Sequence, residues 1–191
     1  MLSPRTMLTG LFAASMTLPS LPSLAEDAPS AGQILRKLEA APQVEIAPED
    51  RMSIQQLKRR PQMRRIAPSI DIQGINFEFG SAAIPRSERR EVENIAIAVN
   101  TLIDRNPEEV ILIEGHTDAV GSGASNLALS DRRAETVAKA LTEYFDVPPE
   151  NLVVQGYGET DLRIETEGDE RANRRAAVRI ITPLLSIAAA N

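Results

Sequence analysis

The 191-residue sequence has no cysteine, no tryptophan and a single histidine. Without thiols it has no disulfide framework, thiolate metal site, cysteine nucleophile or lipidated cysteine anchor. Aromatic residues are 3% of the chain, too few to form stacking platforms for nucleic acid. Basic charge is short as well, with 21 Lys and Arg against 27 Asp and Glu and a net charge of −6. The deficit lies in residues 70–183, where 12 basic and 21 acidic side chains sum to −9. A domain of that sign does not neutralise a phosphate backbone, so nucleic acid is set aside as a partner. Long apolar runs are missing too. The mostly apolar residues 7–18 fall short of the roughly 20 residues that cross a bilayer as a helix. What the chain does have is 42% hydrophobic residues, enough to build a core and to exclude wholesale disorder.

The first 25 residues follow the layout of a secretory signal. Arg5 precedes the apolar run, Pro19 and Pro22 follow it, and Ser23-Leu24-Ala25 places small residues at −3 and −1 of a cleavage point. The expectation is a cleaved signal over 1–25 and an exported mature chain with no transmembrane segment. Residues 26–69 contain Pro29, Pro42, Pro48, Pro61 and Pro68, with only brief helical periodicity at Ile34, Leu35 and Leu38 and again at Ile54 and Leu57. They read as a Pro-rich, partly disordered linker. Lys58, Arg59, Arg60, Arg64 and Arg65 read as its solvated flank, the alternative being a contact for an anionic polymer or lipid head group.

From residue 70 to 183 the pattern is regular. Ile70, Ile72, Ile75, Phe77 and Phe79 predict a strand with an irregularity at Gly74. Residues 86–104 predict a helix with Val92, Ile95, Ala96, Val99, Leu102 and Ile103 on one stripe. A short strand at 110–114 leads into a polar loop at 115–125. A second helix at 126–145 turns Leu129, Ala134, Val137, Ala138, Leu141 and Tyr144 inward. Strands follow at 152–155 and 177–182, on either side of a polar, acidic stretch. The order is βαβαββ, an α/β (α+β) domain with two helices on one face of a four-stranded sheet. The apolar tail, residues 184–191, packs on the domain edge or frays.

Polar residues gather where the first two strands end, the place at which open α/β sheets bind ligands. Asp118 sits in the loop feeding the second helix. Asn126, Ser130 and Arg133 follow at helical spacing, and Arg133 leans back toward that loop. A carboxylate and a guanidinium held close together suit a zwitterionic head group, the acid taking an ammonium and the arginine a carboxylate. The alternative is an internal Asp118–Arg133 pair that pins the loop. His116, alone and without a serine elbow or second base, reads as a neutral residue fixing the loop rather than as a catalyst or metal ligand. No enzymatic activity, metal or cofactor is expected.

Gly115-His116-Thr117-Asp118, Asn126, Leu129-Ser130-Asp131-Arg132-Arg133-Ala134, Gly156-Tyr157-Gly158-Glu159 and Asn173-Arg174-Arg175, with Phe77-Glu78-Phe79-Gly80-Ser81-Ala82 upstream, resemble the OmpA-like peptidoglycan-binding domain in order and spacing. The resemblance spans residues 72–182. It implies two helices against a mixed four-stranded sheet and non-covalent binding of the peptidoglycan stem peptide through the head group of diaminopimelate. It assigns the ammonium to Asp118 and the carboxylate to Arg133. Asn126 and Arg174 complete the pocket, with backbone amides near Gly80, Ser81, Ala119 and Val120. It further implies a periplasmic module that tethers the cell envelope to the wall. The alternative is an adaptor between envelope proteins whose wall site is vestigial.

Overall fold

The computed structural model describes residues 29–40, 45–72, 75 and 77–186. The expected signal segment, the irregularity at Gly74 and residues 187–191 of the tail lie outside the described residues.

Two long helices carry the apolar stripes. The first, counted here as α4 (Arg89–Arg105), buries all six stripe residues, from Val92 to Ile103. The second, α5 (Gly123–Phe145), begins three residues before the periodicity does, because the Ser122 side chain accepts the Ser125 N–H at 3.2 Å and caps it. Ala134, Val137, Ala138 and Leu141 are buried as expected. Tyr144 is 75% exposed, because Phe145 takes the inward position one residue later and packs on the core.

Four strands form one sheet: β1 (Ser69–Ile72), β2 (Ile111–Gly115), β3 (Leu152–Gly156) and β4 (Ala176–Ile180), in the order β1-β4-β2-β3. β2 and β3 are parallel, with Gly115 opposite Gly156, and α5 is the crossover between them. β4 runs antiparallel to both β1 and β2. The crossover through α4 therefore skips one position, and β4 fills it. β1 is shorter than the predicted strand; Ile75 and Phe77 lie beyond its end, buried in the helical core. Alternate residues of β2 divide the molecule. Ile111 and Ile113 face the helices, whereas Leu112 and Glu114 face the back of the sheet.

The expected linker is the main correction. α1 (Ala31–Leu38), capped by Ser30 and Gln33, inserts Ile34 and Leu38 into the core beside α4. Residues 45–67, including α2 (Ile54–Lys58) and α3 (Pro61–Arg64), cross the back of the sheet as a strap. Met52, Leu57 and Ala67 cover Leu112, Ile181, Leu184 and Leu185 there. Its prolines do not mark disorder. Pro48 and Pro61 open helical turns, where a missing N–H costs nothing. The start of the tail joins the strap, since the Met52 N–H donates to the Leu184 carbonyl and the Ser186 N–H to that of Met52. Nor is the basic cluster simply a solvated flank. Lys58 donates to the Val154 carbonyl at 2.9 Å, Arg65 pairs with Asp161, and Arg64 is fully buried; Arg59 and Arg60 are exposed.

Candidate functional site

The site is built where α5 lies across the exits of β2 and β3. Contact is close enough that a Cβ on Gly115 would fall 1.9 Å from the Ser130 carbonyl oxygen, and one on Gly156 would fall 2.4 Å from the Asp131 nitrogen. The seam is hydrogen-bonded. Asp131 Oδ1 accepts the Gly156 N–H at 2.6 Å, and Ser130 Oγ accepts the Gly158 N–H at 2.8 Å. The β2 exit loop is held on both sides, with the His116 N–H donating to the Arg175 carbonyl and the Thr117 N–H to that of Gly158.

Asp118, Asn126, Arg133 and Arg174 come together around this loop. Arg133 is 0% exposed and lies over the Phe77 ring, 5.0 Å from its centroid. Its Nε donates to the Ser81 carbonyl at 3.0 Å, Nη1 to that of His116 at 2.8 Å and Nη2 to that of Glu78 at 3.3 Å. Burial pushes the guanidinium down to about 10, with Asp118 opposing the shift, so it stays charged at neutral pH. The Asp118 carboxylate pairs with Arg174 rather than with Arg133: Arg174 Nη1 donates to Oδ2 at 2.8 Å and also reaches Asp169. Asn126 Nδ2 donates to the Asp118 carbonyl at 3.3 Å and to the Glu159 carboxylate.

The expected backbone donors divide. The Val120 N–H is taken by Asp118 Oδ1 at 3.3 Å and the Ser81 N–H by the Glu78 carbonyl at 3.0 Å, so Ser81 serves Arg133 through its own carbonyl. Among the described residues the amides of Gly80 and Ala119 meet no acceptor. Sequence reasoning did not single out Asp169, and it gave Glu159 and Asn173, quoted within motifs, no part of their own. Asn173 is buried and holds the approach to Arg174 by accepting the N–H groups of Arg163 and Ile164. An amide three residues before a strand carries no signal of that task. Among the described residues no group of His, Asp and Glu is arranged to hold a metal ion.

Behind the loop lies a buried ionic cluster. Glu114, 0% exposed, takes Arg64 Nη1 between its two oxygens, at 3.0 and 3.1 Å, and accepts Arg179 Nε at 2.9 Å. Burial alone would raise the Glu114 carboxyl; the His116, Arg179 and Arg64 contacts overcome it and hold the group below its usual range. His116 stacks on Tyr157, and its Nε2 faces Glu114 Oε2 at 3.5 Å, too far for a good hydrogen bond. It fixes the loop through its backbone rather than through its ring. Burial holds the ring below its ordinary value of 6.5, against the pull of Glu114 and with Arg175 reinforcing it.

The sign of the resulting pH dependence follows. The unfolded chain protonates His116 near pH 6.5 while the folded chain does not, so stability falls as pH drops through that value. Urea unfolding between pH 7.5 and 5.5 should show a slope of up to about 1.4 kcal/mol per pH unit. His116→Asn should remove that slope.

Among known proteins, the OmpA family model matches residues 76–176. Outer membrane porin F of Pseudomonas aeruginosa is 30% identical over 86 residues, covering 45% of this chain and 23% of the porin. Outer membrane protein A of Escherichia fergusonii is 26% identical over 107 residues, covering 56% of this chain and 43% of that protein. The matched region is thus under half the length of either relative. Among solved structures, the peptidoglycan-associated lipoprotein of Burkholderia pseudomallei aligns over 56% of this chain and 87% of its own, at 27% identity and a TM-score of 0.47. Over its motif-bearing half, this chain belongs to the OmpA family.

Proposed function

We propose that the domain is a non-catalytic periplasmic module that binds the peptidoglycan stem peptide through the zwitterionic head group of diaminopimelate, and so attaches part of the envelope to the wall. The observation that carries the reading is the convergence of Asp118 and Arg133, buried groups of opposite charge from the β2 exit and from α5. In this reading Asp118 takes the ligand ammonium. Arg133 uses the N–H groups left after its three carbonyl bonds for the carboxylate, and Arg174 swings to the same carboxylate. The Gly80 and Ala119 amides supply further donors. The relatives' outer-membrane names and the signal-like residues 1–25 are consistent with an envelope location.

The cleanest test is Asp118→Asn, which keeps the shape and removes the charge. Arg133→Ala is less clean, because it also strips a donor from three backbone carbonyls, that of buried His116 among them. Binding of a diaminopimelate-containing tripeptide, measured by calorimetry, should weaken by roughly 10- to 100-fold in Asp118→Asn with the fold retained. Unchanged binding would sink the assignment. A second reading, an adaptor between envelope proteins, draws on the Asp118–Arg174 pair, in which the carboxylate has a partner within the chain. It gains if the folded parent fails both to bind the tripeptide and to co-sediment with insoluble peptidoglycan.

A further inference from the structure

We infer that Arg64, delivered by the strap, is a positioning residue for the head-group site: its guanidinium joins the three segments whose exits frame Asp118 and Arg133. This rests on the ligand reading above. Nη1, shared between the two Glu114 oxygens, grips β2 one residue before its end, and the Arg133 and Asp118 contacts begin directly beyond it. His116, two residues on, gives its carbonyl to Arg133 Nη1 at 2.8 Å. The same guanidinium lies 3.7 Å from the centroid of Tyr157, whose N–H donates to the Gly115 carbonyl at the exit of β3. Arg64 Nη2 then reaches Asp161 Oδ2 at 2.8 Å, in the stretch that leads to Asp169 and Arg174.

Stability alone is a poor account of this side chain. Burying a guanidinium with a carboxylate carries a desolvation cost that a well-packed apolar pair avoids. What a guanidinium with Nη1 on Glu114 and Nη2 on Asp161 supplies, and an apolar contact does not, is fixed geometry in two directions. The element carrying it has no independent hold, since helices of five and four residues do not persist unless docked. Strap and loop therefore share one arrangement.

The test compares two strap variants of the intact protein. Arg64→Gln removes the guanidinium, whereas Leu57→Ala thins the apolar contact of the strap and keeps the charge. Two ligand-free readouts accompany binding: the ring titration of His116, unambiguous because it is the only histidine, and the amide resonances of His116, Thr117 and Val120. The ring is faced by Glu114, Arg175 and Asp161, and two of these, Glu114 and Asp161, are partners of Arg64. Arg64→Gln should weaken tripeptide binding by roughly 3- to 30-fold, shift the three amides and raise the ring titration. Leu57→Ala should lower the melting temperature while affinity and ring titration stay at parent values. Parent-like affinity, titration and amides in a folded Arg64→Gln would overturn the inference. If that variant does not fold, Arg64→Lys replaces it, keeping charge without the two nitrogens that hold Glu114 and Asp161 together, and parity with Leu57→Ala in affinity would be the overturning result. Should the parent not bind the tripeptide, the ligand reading fails by itself. The titration and amide shifts then decide, and no change in them overturns the role of Arg64.

Discussion

Glu114→Ala should destabilise the domain by about 3–5 kcal/mol, which lowers the melting temperature by roughly 10 °C or more. The carboxylate sits on the sheet's back face near the end of β2 and is the shared partner of Arg64 and Arg179. Truncation leaves both guanidiniums buried with less compensating charge, and it opens the space between strap and sheet. The larger cost comes from the cations, because Arg179 loses its carboxylate and Arg64 keeps Asp161 alone of its two, and desolvating a poorly paired charge exceeds the loss of a few methylenes. Thermal unfolding followed by circular dichroism checks the value. Arg65→Ala is the control. That side chain pairs with Asp161 from a half-exposed position, so its loss should fall within about 0.5 kcal/mol of the parent. Equal effects from the two variants would mean that the cluster is far better hydrated than its burial implies.

Gly115→Ala should cost about 3 kcal/mol or more, beyond the usual range for one added methyl group. The methyl would meet the Ser130 carbonyl oxygen at 1.9 Å, and a backbone atom in the middle of a long helix cannot step aside as a side-chain tip does. The helix must lift instead. Lifting it stretches the Asp131–Gly156 and Ser130–Gly158 bonds and carries Arg133 away from the β2 exit. Binding of the tripeptide should therefore fall together with stability. Gly80→Ala makes the contrast. It has open space around it and a φ of +69°, so only the left-handed backbone is penalised, at about 1–2 kcal/mol. A Gly115→Ala variant as stable as Gly80→Ala would refute the close crossing.

The two features behind these predictions differ in how legible they were. The crossing was half legible: the stripes of α4 and α5 are read from the spacing of Val92 to Ile103 and Ala134 to Leu141, and the glycines stand at strand ends. Their distance from α5 is a tertiary fact. The insertion of β4 between β1 and β2 was not legible from the periodicity, because strand order is set by pairing between residues far apart. Asp118 and Arg133 were found by spacing, whereas the Arg133 acceptors were not. Peptide carbonyls of Glu78, Ser81 and His116 have no side-chain signature. The strap escaped for a third reason. Its apolar residues, Met52, Leu57 and Ala67, are too sparse to mark an element that needs to cover only one layer. Arg64 in turn sits among four other basic residues that look the same in sequence and face differently in space.

The Asp118–Arg174 pair changes what occupancy of this site means. A cation approaching Asp118 finds the carboxylate already bound, so it enters by substitution, one ion pair dissolved for one formed. The affinity then reports the difference between two cations at one anion. A bare amine gains little from such a trade, since the guanidinium it ousts keeps Asp169 as its one carboxylate among the described residues. A visitor that brings its own anion gives the displaced arginine a new partner and completes the exchange. If the proposed function holds, this resident counterion favours zwitterions over simple amines, because it leaves most readily when offered another charge to hold.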